Sequence, residues 1–126
     1  MIRIMIADDH DLYREVLKDF LNRNGFNVMS TSRLDGGADK ILDQSSLPDI
    51  AIIAYKSSSL DGLTGLRWLK AHFPSVKILV TTLFDNRLSA GELKQLGIEG
   101  MIIKSHADTR EIITALHAIT EGKNYY

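Results

Sequence analysis

Short apolar runs and longer amphipathic stretches alternate along the chain. Residues 2–7 are apolar apart from Arg3 and read as a buried strand. Residues 11–24 predict a helix, with Leu12, Val16, Leu17, Phe20 and Leu21 on one face. Gly25 follows where a helix end favours a left-handed residue. Residues 26–31 predict a second strand, and 35–44 a weaker helix with Ala38, Ile41 and Leu42 inward. Pro48 breaks the chain ahead of a third strand at 49–54. Residues 62–73 predict a helix through Leu63, Leu66, Leu69 and Phe73, which Pro74 ends. A fourth strand is read at 77–82, then a helix with a poor apolar stripe at 85–96, ended by Gly97. The fifth strand is 100–103, and the last helix, 108–120, turns Ile112, Ile113, Leu116 and Ile119 inward.

This is an α/β pattern of five strand–helix units, with no linker, repeat or low-complexity segment. The third to fifth strands are continuous apolar runs of the kind buried on both faces, whereas the second alternates like an edge strand. A doubly wound parallel sheet with helices on both faces follows. In such sheets ligands sit beyond the carboxyl ends of the strands.

Composition narrows the function. With 126 residues, 44% hydrophobic and 25% charged, the chain has the size and balance of one soluble domain. A net charge of −1 argues against direct nucleic-acid binding by phosphate neutralisation. The absence of cysteine excludes disulfides, thiol catalysis and cysteine-based zinc sites. The apolar N-terminus is too short to span a membrane and lacks a signal-peptide pattern, so a cytoplasmic location is expected.

The strand ends carry the candidate chemistry. Asp8, Asp9 and His10 follow the first strand. Ala54, Tyr55 and Lys56 end or follow the third, Thr81 and Thr82 end the fourth, and Lys104 and Ser105 follow the fifth. Two carboxylates could offer hard oxygens to Mg²⁺. A lysine and a hydroxyl could hold phosphoryl oxygens.

Taken together, these segments resemble the receiver domain of two-component response regulators. Ile6–His10 is similar to the family's acidic opening, and the run 48–53 to the approach to its phosphoacceptor. Leu60-Asp61-Gly62 resembles the start of its third helix. Thr81-Thr82 and Ile102-Ile103-Lys104 resemble its hydroxyl and lysine positions. The ending, 115–126, is similar to the LuxR-type subclass, in which a helix-turn-helix DNA-binding domain follows the receiver. The resemblance covers the whole chain and implies a flavodoxin-like strand order of 2-1-3-4-5.

It also exposes a departure. The family's phosphoacceptor lies six residues after the proline and seven before the Asp-Gly pair, and both spacings land on Ala54. A methyl group forms no acyl phosphate and ligates no metal. Ser58 replaces a usual proline, Met101 a switch aromatic, and Leu83 a small residue. Several changes together point to natural drift into a pseudo-receiver rather than one engineered knock-out.

Each candidate has a plainer reading. Asp8 and Asp9 would form a leftover acidic pocket, offset by an ion pair from Lys104 to one of them. Like charges about 4 Å apart repel by about 4 kcal/mol at an effective dielectric of about 20. With the third carboxylate gone, no cofactor is required and only weak Mg²⁺ binding is expected. Lys56 reads as a solvated lysine at the pocket rim. Thr82 reads as a hydroxyl bonded locally at a strand end. Ser57, Ser58 and Ser59 read as an ordinary polar loop rather than a kinase target. His10 is expected only to shape the pocket, Trp68 to be partly exposed, and Tyr125 and Tyr126 to begin a linker.

The expected function is therefore non-enzymatic regulation through a sensor kinase or other regulatory protein. A homodimer and control of transcription through a DNA-binding domain outside these residues fit that reading. The first alternative is a structural docking or dimerisation domain without switching. The second is a flavin-binding or hydrolytic protein on the same fold. That one is disfavoured because Asp8-Asp9-His10 stands where a phosphate loop would follow the first strand.

Overall fold

The computed structural model describes residues 1–34, 38–55, 63–83, 90–104 and 109–126. Its strands are β1 (Arg3–Ala7), β2 (Asn27–Ser32), β3 (Ile50–Ala54), β4 (Lys77–Thr82) and β5 (Gly100–Ile103). Its α-helices are α1 (Asp11–Arg23), α2 (Leu63–His72), α3 (Ala90–Gln95) and α4 (Thr109–Thr120). The strands form one sheet in the order β2-β1-β3-β4-β5. Every neighbouring pair is parallel. This is the expected doubly wound arrangement.

Side-chain alternation splits the core into two layers. Ile4, Ile6, Ile50, Ile52, Leu79 and Ile102 pack with Leu17 and Leu21 of α1 and Leu116 and Ile119 of α4. Met5, Ala51, Ile53, Ile78 and Val80 pack with Leu66 and Leu69 of α2 and Leu93 of α3. β3 is buried at every position, which is why it reads as an unbroken apolar run. β2 lies at an edge and is mostly only part-buried, matching its weaker pattern. After α1, Gly25 adopts φ 89°, a conformation that disfavours any side chain.

The structure corrects three expectations here. In place of a helix over 35–44 there is a single 3₁₀ turn, Ala38–Lys40, among the described residues, although Ile41 and Leu42 are buried as expected. Leu12 and Val16 do not face the core; they are 71% and 54% exposed. The inward stripe of α1 is instead Leu17 and Leu21, flanked by Tyr13 and Phe20. That stripe is rotated by about one residue, near 100° on a 3.6-residue helix, from the one drawn through Leu12 and Val16. Finally, the C-terminal tyrosines are not a loose linker: Tyr125 pairs with Gly100 at the edge of β5.

Candidate functional site

Sheet register places the strand-end residues. Ala7 pairs with Ile53, so Asp8 stands beside Ala54 on the adjacent strand. Ala54 pairs in turn with Thr81, and Thr81 with Ile102. Alternation puts Asp8 and Thr81 on the face covered by α1 and α4, whereas Ala54, at the very end of β3, packs with the α2–α3 core. The next residues, Asp9 and Thr82, belong to the opposite face. Asp9 shows the consequence: its Oδ1 accepts a hydrogen bond from Leu34 N at 2.6 Å, and Leu34 belongs to the core on the α2–α3 side. This bond fixes the backbone after β2.

Asp8 is the buried acid, at 3% exposure. Its Oδ1 accepts from His10 N at 2.9 Å, and its Oδ2 is 2.5 Å from Lys104 Nζ. The Asp8 and Lys104 side chains are 5% and 10% exposed, so the ion pair is nearly dry. The Lys104 ammonium also lies 4.0 Å from the centroid of the Tyr13 ring, within cation–π range. Arg14, on the next position of α1, donates to the Asp8 carbonyl at 2.6 Å and pairs with Asp11 at 2.9 Å. Asp8 is thus held from α1 and β5 at once.

This packing bears on the titration of Tyr13. Burial first, and then the negative charge of Asp8, push its phenol up to about 12. The folded state therefore holds the phenolic proton more tightly than the unfolded chain does. The associated stability is complete below the ordinary tyrosine range near 10 and is lost as pH rises through about 12. Tyr13→Phe removes this group, so the variant is expected to lose less stability than the parent between those limits. Denaturant melts at stepped pH check this, and parallel curves would contradict it.

The remaining site residues divide. Ala54 is buried and offers no polar atom. Thr81 and Thr82 are buried, and neither hydroxyl has a hydrogen-bond partner among the described residues. The local bond expected for Thr82 is thus not found among the described residues. Met101 is part-buried against the α2–α3 core, and Leu83 is 55% exposed. His10 shapes the pocket through its backbone amide on Asp8, while its ring Nδ1 accepts from Tyr13 N at 2.9 Å as the N-cap of α1. Lys56 and Ser57–Ser59 lie outside the described residues. Sequence reasoning missed Tyr13 and Arg14, although both sit on the turn of α1 that follows the acid pair.

These residues do not fit the magnesium ion that the resemblance implies. Both Asp8 oxygens are engaged, one of them by a cation, and one Asp9 oxygen faces a backbone amide. Among the described residues no three His, Asp or Glu side chains gather as a metal-holding group.

Comparison with known proteins decides the family. Residues 4–117 match the family model described as the response regulator receiver domain. The chain belongs to this family. The receiver is 31% identical over 125 residues to the transcriptional regulatory protein LnrK of Bacillus subtilis, covering 97% of this chain and 55% of that protein. It is 28% identical to the response regulator GacA of Pseudomonas viridiflava, covering 99% and 58%. The receiver thus spans little more than half the length of these relatives. Among solved structures it resembles a LuxR-family response regulator from Aurantimonas sp. SI85-9A1, with TM-score 0.85, 24% identity, and 100% and 89% of the two chains covered. It also resembles the apo isolated receiver domain of RcsB from Salmonella enterica serovar Typhimurium, with TM-score 0.82, 25% identity, and 99% and 92% covered. LnrK is named a transcriptional regulatory protein and GacA a response regulator. No described helix of the receiver is long and apolar enough to cross a membrane.

Proposed function

We propose that this receiver signals through protein contacts without aspartyl phosphorylation, and that it controls transcription through a DNA-binding domain outside residues 1–126. The observation that carries the reading is Ala54, set by register between Asp8 and Thr81 at the end of β3. The acceptor position has no nucleophile, and the adjacent acid is neutralised by Lys104. The names of LnrK and GacA support the regulatory role. A sensor kinase or other regulatory protein is the partner, acting in the cytoplasm by binding one conformation better than another. Mg²⁺ is not required and binds weakly at best. The near-neutral charge leaves nucleic acid to the output domain.

Backbone amide spectra test this reading. Acetyl phosphate with Mg²⁺ is expected to leave the signals of residues 82–104 in place, while the Ala54→Asp variant responds. A response by the unaltered protein would overturn it.

The receiver also carries a surface suited to self-association. Leu12 and Val16 form an exposed apolar pair on α1. A solved structure with 26% identity and TM-score 0.82 contains RcsB dimers on DNA. Paired substitution Leu12→Ser, Val16→Ser is expected to shift a sedimenting dimer to monomer, with an unchanged sedimentation profile as the contrary result. A second reading, docking without switching, draws on the exposed Leu83 beyond β4. It is supported if a bound partner leaves residues 82–104 unchanged.

A further inference from the structure

Strand pairing does not end with β5. After α4, Gly122 turns at φ 85° and brings the backbone back beside the outer edge of β5. Tyr125 N donates to the Glu99 carbonyl at 3.0 Å, and Met101 N donates to the Tyr125 carbonyl at 2.8 Å. The resulting bridge to Gly100 is parallel. Tyr125 is thus a one-residue sixth strand, joined to β5 through α4 as earlier strands are joined through their helices.

The two tyrosines grip opposite faces of the sheet. Tyr125 packs on the α1–α4 core, and its hydroxyl donates to Glu111 Oε1 at 3.1 Å. Tyr126 packs on the α2–α3 core, its hydroxyl bonded to the Ile98 carbonyl. Lys94 of α3 places its ammonium 5.1 Å from the Tyr126 ring centroid. Gly100 makes the approach possible: a Cβ there would lie 2.7 Å from the Tyr125 carbonyl oxygen. This strap therefore ties α3, β5 and α4 together with two side chains and two backbone bonds.

It also reaches the strand that holds the pocket lysine. Met101, the second residue of β5, bonds Tyr125, and Lys104 directly follows the last residue of that strand. Lys104 N donates to the Thr82 carbonyl at 2.6 Å, while its ammonium holds Asp8. By alternation Tyr126 faces the same side as Met101, and both pack on the same core.

We propose that the strap is a conformational latch for β5, coupled through that strand to the Asp8–Lys104 pocket. Tyr126 supplies beside β5 the aromatic ring that Met101 does not. The inference rests on the reading that the domain signals without an acyl phosphate, and it names the element through which binding is read out. β5 is only four residues long, so an edge released at Met101 loosens the strand up to Lys104. Thermodynamic coupling is reciprocal: a change in the pocket must alter the strap as much as a change in the strap alters the pocket.

Amide hydrogen exchange and backbone spectra of the full chain test both directions. Tyr126→Ala is expected to speed exchange of the Met101 amide at least tenfold, leave Leu79 and Val80 protected, and shift the Thr82 and Lys104 signals. Conversely, Thr82→Val and Lys104→Met are each expected to shift the Tyr125 and Tyr126 signals. Arg3→Ala, at the far end of β1, is expected to shift none of these. Thr82→Val removes a hydroxyl without a partner among the described residues, so it keeps the test decisive even if Lys104→Met fails to fold. An unchanged Met101 exchange rate in Tyr126→Ala would overturn the latch. So would strap signals indifferent to Thr82→Val. Neither result bears on whether the protein accepts a phosphoryl group, which is read separately by mass.

Discussion

Lys104→Met is expected to lower the free energy of unfolding by about 3–5 kcal/mol, the usual cost of leaving a buried charge without its partner. Asp8 is 3% exposed, and its remaining side-chain bond is to the His10 amide. Water therefore reaches little of the carboxylate left behind. The same substitution removes the cation from the face of Tyr13, which adds about 0.5–2 kcal/mol of lost attraction. The double variant Asp8→Asn, Lys104→Met is expected to recover most of the deficit, because no bare charge is left in the pocket. Denaturant unfolding of the parent, both single variants and the double variant gives the coupling directly. Additive losses would mean that the two side chains do not act as a pair.

Ala54→Asp is the second large change, expected to cost about 2–4 kcal/mol in the absence of divalent cation. Register sets the new carboxylate beside Asp8 on the neighbouring strand, and position 54 is only 6% exposed. Lys104 is already shared between Asp8 and Tyr13. Mg²⁺ is expected to return much of the loss, since a cation that binds only the folded state at 100 times its Kd adds about 2.7 kcal/mol. Thermal melts with and without Mg²⁺, alongside the parent, supply the comparison. A variant indifferent to Mg²⁺ would show that the third carboxylate does not complete a cation site.

Much of the architecture was legible in the chain. β4 and β5 begin and end where the runs read at 77–82 and 100–103 do, and at β5 the boundaries are marked by the charged residues Glu99 and Lys104. α4 was equally plain, since Ile112, Leu116 and Ile119 repeat at helical spacing and all are buried. α1 was harder. It has apolar residues at Leu12 and Val16 as well as at Leu17 and Leu21, and periodicity alone does not say which pair faces inward. The stretch after Leu34 carries a helical pattern, yet tertiary packing needs only Ile41 and Leu42 from it, and a short 3₁₀ turn suffices.

The site was legible in its residue types but not in its pairings. Register brings Asp8, Ala54 and Thr81 together, as the strand-end positions suggested. The choice of Asp8 rather than Asp9 as partner of Lys104 depends on which face each acid takes, and alternation beyond the last paired residue of β1 settles it. Tyr13 escaped notice because an aromatic ring on an amphipathic helix reads as core filler. Its second use, under the Lys104 ammonium, appears only when α1 and the end of β5 are placed side by side. The strap was invisible for another reason: one residue of strand has no periodicity, and Gly122-Lys123-Asn124 has the composition of a linker.

The most direct test of signalling without an acyl phosphate is the intact mass of the purified protein after incubation with acetyl phosphate and Mg²⁺, beside the Ala54→Asp variant. The unaltered protein is expected to keep its mass, while the variant gains one phosphoryl group. A phosphoryl group on the unaltered protein would contradict the reading, and would mean that a residue other than the one at position 54 is the acceptor.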